Sequence, residues 1–491
     1  MAEKTSVFPV IGLEVHAQLQ TRSKIFCPCP VTVGAPPNSA TCPVCLGFPG
    51  TLPVLNREAV TLALRLASAV GAEVHRESLF ARKHYFYPDL PKGYQISQYD
   101  RPFSTGGKIE IDTPSGPRAI RLVRIHLEED AGKLLHDTPY AEVPPTETLV
   151  DWNRAGVPLV EIVGEPDIRT PEEAAAYLTE LRLLLRRNGV SDGDMEKGNL
   201  RCDANVSVRL SETAPLGTRV EIKNLNSIRF VAKALEHEIE RQAQVIARGE
   251  RVVLETRLWD AAAGRTVAMR GKEEAHDYRY FPEPDLGALV VDDAWIAEAT
   301  RDMPEQPRAL RARFMSYGVP AREAFTLASS KKLADYFEQL VAQGTNHRDA
   351  STWVTGEFLR RMKEQGVSLE DDTEFPLPAK RLGEIVQMYQ HSKISLTTAK
   401  DLVGDVVVWT ADDLGQLVQS RGLRMISDSQ GIEALVAEIV SANPSQVALY
   451  RSGKTQTFGW FVGQVMKKTG GRADPAQARA ALEAALGAPS S

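Results

Sequence analysis

The chain has 491 residues, too many for one hydrophobic core, so two to four folded units of about 100 to 200 residues each are expected. Its 43% hydrophobic and 25% charged content excludes a disordered chain, and no apolar run approaches the ~20 residues of a membrane-spanning helix. The net charge of −6, from 58 basic and 64 acidic residues, excludes a protein that coats nucleic acid non-specifically, so any RNA contact has to be local.

Residues 1–10 lack the basic stretch, apolar core and small-residue cleavage site of an export signal, which points to the cytoplasm. From about Ser6 to Val291, short alternating runs with β-branched residues and Gly/Pro turns predict a large, mainly antiparallel sheet with few helices. In Ile11-Gly12-Leu13-Glu14-Val15-His16 the period of two puts Ile11, Leu13 and Val15 on a core face and Glu14 and His16 on the other. Cys27-Pro28-Cys29, twelve residues, then Cys42-Pro43-Val44-Cys45 make two knuckles that can close a tetrahedral thiolate site around Zn²⁺. With all four positions taken by protein, such a zinc is structural. Cys202, on the apolar side of its own run, reads as a buried small hydrophobe.

Val123-Arg124-Ile125-His126-Leu127-Glu128-Glu129-Asp130 ends in an acidic cluster where a strand would meet its loop, and alternation does not choose there between Glu128 and Glu129. Thr170-Pro171-Glu172-Glu173 opens a helix with Thr as cap and Pro at the first helical position, and Asn188-Gly189 closes it. A second helix runs from about Arg229 to Arg248 and stops at Gly249. Asp203, Asn205 and Ser207 share one face of a further strand, as do Glu221 and Lys223 of another. If these faces converge, the carboxylates and the imidazole form a hard-cation site suited to Mg²⁺ and to phosphoryl transfer. No phosphate loop accompanies them: Gly453-Lys454-Thr455 has Ala448 where the first glycine should stand.

Near Asp302-Met303-Pro304-Glu305-Gln306-Pro307 the pattern turns helical and stays so, with a further break at residues 370–376, giving an α+β chain whose large antiparallel β domain precedes all-α domains. Ser329-Ser330-Lys331 echoes an amidase signature but lacks a glycine-rich setting and opens a helix, so no nucleophile and base for glutamine hydrolysis emerge. Residues 451–490 carry Arg451, Lys454, Lys467, Lys468, Arg472 and Arg479 against Asp474 and Glu483, a local basic excess suited to phosphates. Phe458, Trp460 and Phe461 read as packing of that tail's own core.

The segments Ile11–His16, Arg82–Gln98, His126–Lys133, Leu200–Asn205, Glu221–Ser227 and Asp277–Asp285 together closely resemble the B subunit of the tRNA-dependent amidotransferase, over essentially the whole chain. The resemblance implies a cradle-shaped, kinase-like catalytic domain over residues 1–295 carrying the zinc knuckle at 27–45, a helical linker at 296–345, and a YqeY-like, tRNA-binding tail at 346–491. It implies that ATP phosphorylates the side-chain carboxylate of misacylated Glu-tRNA(Gln) or Asp-tRNA(Asn), and that ammonia from glutamine, delivered by an amidase subunit, replaces the phosphate. A small clamp subunit would complete a heterotrimer, with an aspartyl- or glutamyl-tRNA synthetase as a further partner. Glu14, His16, Glu129, Asp203 and Glu221 would hold Mg²⁺, so Glu129 is preferred to Glu128 by resemblance alone. Lys83 and Lys223 would contact the nucleotide, and Lys454, Lys467, Lys468 and Arg472 the tRNA. Two other readings use the same features: a non-catalytic zinc-containing tRNA scaffold, which turns over no ATP, and a Mg²⁺-dependent nuclease, which needs none.

Overall fold

The computed structural model of the protein describes residues 7–135, 144, 146–269, 278–369, 374–426 and 428–487. Asp277 of the last family segment and residues 370–373 of the second break lie outside the described residues. The chain forms two compact units, residues 1–307 and 308–491.

The first unit is built on a ten-stranded sheet. Its strands are β1 (Phe8–Gln18), β2 (Glu73–Val74), β5 (Ser104–Thr105), β6 (Lys108–Thr113), β7 (Gly116–Glu129), β8 (Pro158–Gly164), β9 (Leu200–Arg209), β10 (Val220–Lys223), β11 (Glu255–Asp260) and β12 (Arg265–Ala268). The order across it is β12-β11-β10-β9-β1-β8-β7-β5-β2, with β6 paired to β7. Every pairing is antiparallel except β10 with β11, so the predicted α+β class with a mainly antiparallel sheet is the one observed. A separate ribbon pairs β3 (Ala81–His84) with β4 (Tyr94–Ser97).

The period of two is realised residue by residue in β1. Ile11, Leu13 and Val15 are at most 1% exposed, whereas Glu14 and His16 stay half-buried on the other face. Helices cover the apolar face: α1 (Arg57–Ala69), α2 (Pro171–Arg187) and α3 (Ile228–Ala247) contribute Leu62, Tyr177, Leu181 and Leu235 to the same core as β1. Each large apolar side chain so buried contributes about 1.5–3 kcal/mol. In α2 the Thr170 side chain accepts from Glu173 N, Pro171 takes the first helical position, and Gly189 follows at φ +65°. The Glu173 carboxylate accepts from Arg169 N at 2.8 Å and from Arg118, one residue before the reciprocal bond of a capping box. α1, capped by Asn56, is a helix that the alternating sequence pattern does not signal.

The second unit is helical. Ser330 caps α4 (Lys331–Ala342) by accepting from Leu333 N, as its sequence setting requires. Phe314, Phe337 and Phe358 fill one core. Ile432, Phe461 and Leu482 anchor a smaller one, to which α5 (Thr457–Lys468) contributes. Phe461 is fully buried and Phe458 packs against that core, but Trp460 is 38% exposed, because it lies one residue off the buried stripe of α5.

Candidate functional site

Strand register brings the polar side chains into one row. His16 of β1 stands opposite Glu161 of β8, and Glu161 opposite His126 of β7. Glu14 stands opposite Asp203 of β9, and Asn205 opposite Glu221 of β10. Residues directly opposite in a sheet share a face, so these groups and Glu128, two residues beyond His126, project from the same side. His16 Nε2 lies 3.5 Å from both Glu128 Oε1 and Glu161 Oε2, and His126 Nε2 lies 3.0 Å from Glu161 Oε2. His16, Glu128 and Glu161 each offer a ligand atom within 4.8 Å of the others. Asn205 Nδ2 donates to Glu14 Oε1 at 2.9 Å, and Lys223 Nζ donates to Asp203 Oδ2 at 2.6 Å and pairs with Glu221 Oε1 at 3.1 Å.

The charges in this row perturb one another. Burial pushes the Glu14 carboxyl up, and the carboxylates of Glu161, Glu221 and Asp203 push it further, with His16 opposing. Burial alone would lower His16, but the hydrogen bond to Glu161 and the charges of Glu128 and Glu161 raise it to about 9. Glu161 is held well below the carboxylate range: burial raises it, and His126 and His16 more than reverse that. Burial likewise works against the Lys223 ammonium, which Asp203 and Glu221 nonetheless hold above the lysine range. Glu14, raised by the carboxylates around it, lacks a cation of its own in this row, and the donor set of carboxylate oxygens with one imidazole fits a hard divalent cation.

Two residues assigned to this site by resemblance are placed elsewhere. Glu129 points to the opposite face, that of Ile125 and Leu127, because β7 keeps its pairing to the end, with Glu129 opposite Pro158. There its Oε1 pairs with Lys92 Nζ and accepts from Ile96 N at 2.8 Å. Glu128 is the member of the pair that the structure brings to His16. Lys83, in β3, sets its ammonium 4.7 Å from the Tyr278 ring centroid and forms no ion pair with the carboxylate row among the described residues. Sequence reasoning leaves Glu128 open as a ligand and does not name Glu161. Glu161 carries a sequence signal, a lone carboxylate in the apolar run Pro158-Leu159-Val160-Glu161-Ile162-Val163.

The four cysteines do converge. Cys27, Cys29 and Cys45 are buried, Cys42 is half-buried, and the four sulfurs lie within 4.8 Å of one another. Cys42 Sγ and Cys45 Sγ are 3.9 Å apart, close to the roughly 3.8 Å that a tetrahedron of thiolates at ~2.3 Å from zinc requires. The cluster can hold a metal such as zinc. A hydrogen bond from Cys27 pulls the Cys45 thiol down to about 4 against the effect of burial, helped by the Lys24 ammonium, whereas burial pushes Cys29 up to about 11. Lys24 is fully buried with Nζ 3.6 Å from Cys45 Sγ, a position that suits an anionic sulfur cluster. Cys202 is 3% exposed on the apolar side of β9, a buried hydrophobe.

In the tail, Lys454 and Lys467 are exposed, and Lys468 Nζ pairs with Glu438 at 2.6 Å. Arg472 is turned inward instead, donating to the carbonyls of Gly422 and Thr469.

An α+β protein is thus defined that carries a carboxylate-and-imidazole face on its sheet and a four-cysteine knuckle. A family model described as the GatB/GatE catalytic domain matches residues 9–297, and one described as the GatB domain matches residues 335–486. The B subunit of the aspartyl/glutamyl-tRNA(Asn/Gln) amidotransferase of Chlorobium phaeobacteroides is 49% identical over 467 residues, 95% of this chain and 96% of that protein. The proteins of the same description from Myxococcus xanthus and Chlorobaculum tepidum are each 48% identical over 480 residues, covering 98% of this chain and 98% and 99% of theirs. The chain belongs to the family of aspartyl/glutamyl-tRNA(Asn/Gln) amidotransferase B subunits.

Proposed function

We propose that the first unit of this chain activates the side-chain carboxylate of Glu or Asp esterified to a misacylated tRNA(Gln) or tRNA(Asn). The γ-phosphate of ATP passes to that carboxylate, ADP leaves, and ammonia attacks the acyl phosphate so that phosphate departs and the amide remains. The ammonia is released from glutamine on a separate amidase subunit, and a small third subunit completes the heterotrimer.

The observation that carries this reading is the convergence of His16, Glu128 and Glu161, flanked by Glu14, Asp203 and Glu221, on one sheet face. These residues would hold Mg²⁺, which neutralises charge on the phosphates when bound. Lys223, already a cation between two carboxylates, would meet a phosphate oxygen at the edge of that row, and Lys83 would contact the nucleotide from outside it. Zinc in the cysteine knuckle braces a loop too short for its own core. Lys454, Lys467 and Lys468 contact phosphates of the folded tRNA, in a tail domain over residues 346–491 that follows the linker at 296–345.

The test supplies the purified chain and its amidase partner with Glu-tRNA(Gln), ATP, Mg²⁺ and glutamine, and follows phosphate release and Gln-tRNA formation. Glu161→Gln and Asp203→Asn are expected to abolish both while retaining tRNA binding. Undiminished phosphate release by these variants defeats the assignment. Cleaved tRNA without ATP would establish the nuclease reading, and tRNA binding without any ATP turnover the scaffold reading.

A further inference from the structure

The cysteine knuckle and the carboxylate row lie on opposite sides of the same strand end, and a continuous set of contacts joins them. Gly47, in the knuckle loop, has φ +70° and sits so close to Lys92 that a Cβ there would meet Lys92 Cγ at 2.5 Å and Lys92 Cα at 2.9 Å. Lys92 spends its ammonium on the buried Glu129 carboxylate, which also holds Ile96 N. Gln95 Nε2 donates to the Glu129 carbonyl at 2.7 Å. The preceding residue is Glu128, whose carboxylate reaches His16 on the other face. A small cavity of about 60 Å³ lined by Cys27, Cys45, Gly47, Lys92 and Glu129 shows how directly the sulfur cluster abuts this pair.

A second tie runs through the backbone. Ile25 N donates to Gly156 O at 2.9 Å, and Gly156 N donates to Asp130 O at 2.9 Å, fixing the residue on the other side of Glu129. Thus Glu128 is followed by two residues that are both anchored to the segment bearing Cys27 and Cys45. A ligand carboxylate can be aimed to within a fraction of an ångström only if its strand cannot shift or twist, and groups that hold a ligand in place are commonly worth tenfold or more in cation affinity.

We propose that Lys92 and Glu129 are positioning residues that transmit the order of the cysteine knuckle to Glu128, so that filling the knuckle with metal strengthens divalent-cation binding on the far side of the sheet. This rests on the reading of His16, Glu128 and Glu161 as cation ligands. Glu129 then serves that site from behind, with its neighbour as the ligand. Because such coupling is a free energy, it is reciprocal: cation on the sheet face tightens metal binding in the knuckle by the same factor.

The experiment titrates the full-length chain with Mn²⁺, read by electron paramagnetic resonance, in native, Lys92→Met, Gly47→Ala and His16→Ala forms, each before and after a chelator strips the knuckle. Near-ultraviolet circular dichroism reports whether each form is folded. Stripping is expected to weaken Mn²⁺ binding about tenfold in the native chain. Lys92→Met and Gly47→Ala start about tenfold weaker, and stripping weakens them by less than about threefold more, because the link is already cut. Native-like Mn²⁺ affinity in folded Lys92→Met and Gly47→Ala overturns the proposal, as does an effect of stripping that multiplies fully with either substitution. If stripping unfolds the chain, the two metal-filled variants decide alone. Unchanged Mn²⁺ binding in His16→Ala would instead refute the cation site itself, which separates the two failures.

Discussion

Glu128 and Glu129 are neighbours in sequence with opposite surroundings, and replacing each by glutamine is expected to give opposite phenotypes. In Glu129→Gln the Lys92 ammonium, 9% exposed, loses its carboxylate partner and stays buried. Breaking a buried pair from one side costs about 3–5 kcal/mol, which lowers the melting temperature by on the order of 5–10 °C for a unit of this size. Glu128→Gln removes one of three carboxylate and imidazole groups that crowd each other, and His16 keeps Glu161 at 3.5 Å, so melting shifts by about 2 °C at most. Cation binding shows the reverse. A unit charge at ~4 Å is worth about 4 kcal/mol at an effective dielectric of ~20, and even with part of that returned by lighter desolvation, losing it weakens Mn²⁺ about 100-fold or more. Glu129→Gln weakens Mn²⁺ by about tenfold at most, through positioning alone. Calorimetric melting and a Mn²⁺ titration on the same samples suffice. Loss of cation affinity in Glu129→Gln with native affinity in Glu128→Gln would refute the assignment of faces.

Other perturbations read different parts of the molecule. Glu238 on α3 is fully buried and takes hydrogen bonds from Arg241, Gln242 and Thr266. Burial raises its carboxyl, but those bonds outweigh it and hold it low in the folded state. Its contribution is therefore present above the unfolded value of about 4.3 and lost as pH falls through the folded value. Urea unfolding between about pH 3 and 5 should show a slope with pH in the native chain that is shallower in Glu238→Gln, and equal slopes would contradict it. In the tail, Lys467→Glu should weaken tRNA binding and reduce the slope of log affinity against log salt by about one or more, measured by filter binding from low to high salt. Arg472→Ala should instead lower the melting temperature, because its guanidinium holds the Gly422 and Thr469 carbonyls; a salt slope altered at native stability would count against that reading.

Where a segment's pattern is local, the sequence carries it. Thr170, Asn188 and Gly189 bound their helix because caps are set by neighbours, and the alternation in β1 separates Ile11, Leu13 and Val15 from Glu14 and His16 because one face meets a core. The two cysteine knuckles are legible from spacing alone. Glu129 is assigned to the cation site by resemblance alone, because the acidic triplet Glu128-Glu129-Asp130 leaves open in the sequence whether the strand has already ended. The pairing with Pro158 shows that it has not, which puts Glu129 on the core face with Ile125 and Leu127. Glu161 is easily passed over because one carboxylate in an apolar strand acquires meaning only from what lies opposite it, here His16 and His126. α1 escapes notice because its Leu62, Leu64 and Leu66 mimic the alternation of a strand, while Ala59, Ala63 and Ala67 carry the helical stripe with little weight.

The position of β1 has a consequence for how the protein is made. It is the strand to which both β8 and β9 attach, and its register with β9 runs from Phe8 opposite Arg209 to Ala17 opposite Leu200. At about 5–20 residues per second, a ribosome takes roughly 10–40 s to reach Arg209 after the first strand emerges. Until Pro158–Gly164 of β8 is made, Ile11, Leu13 and Val15 have no sheet partner, and β1 is paired on both flanks only when β9 follows, so the nascent chain presents a sticky ribbon that a holding chaperone would be expected to shield until the second flank arrives.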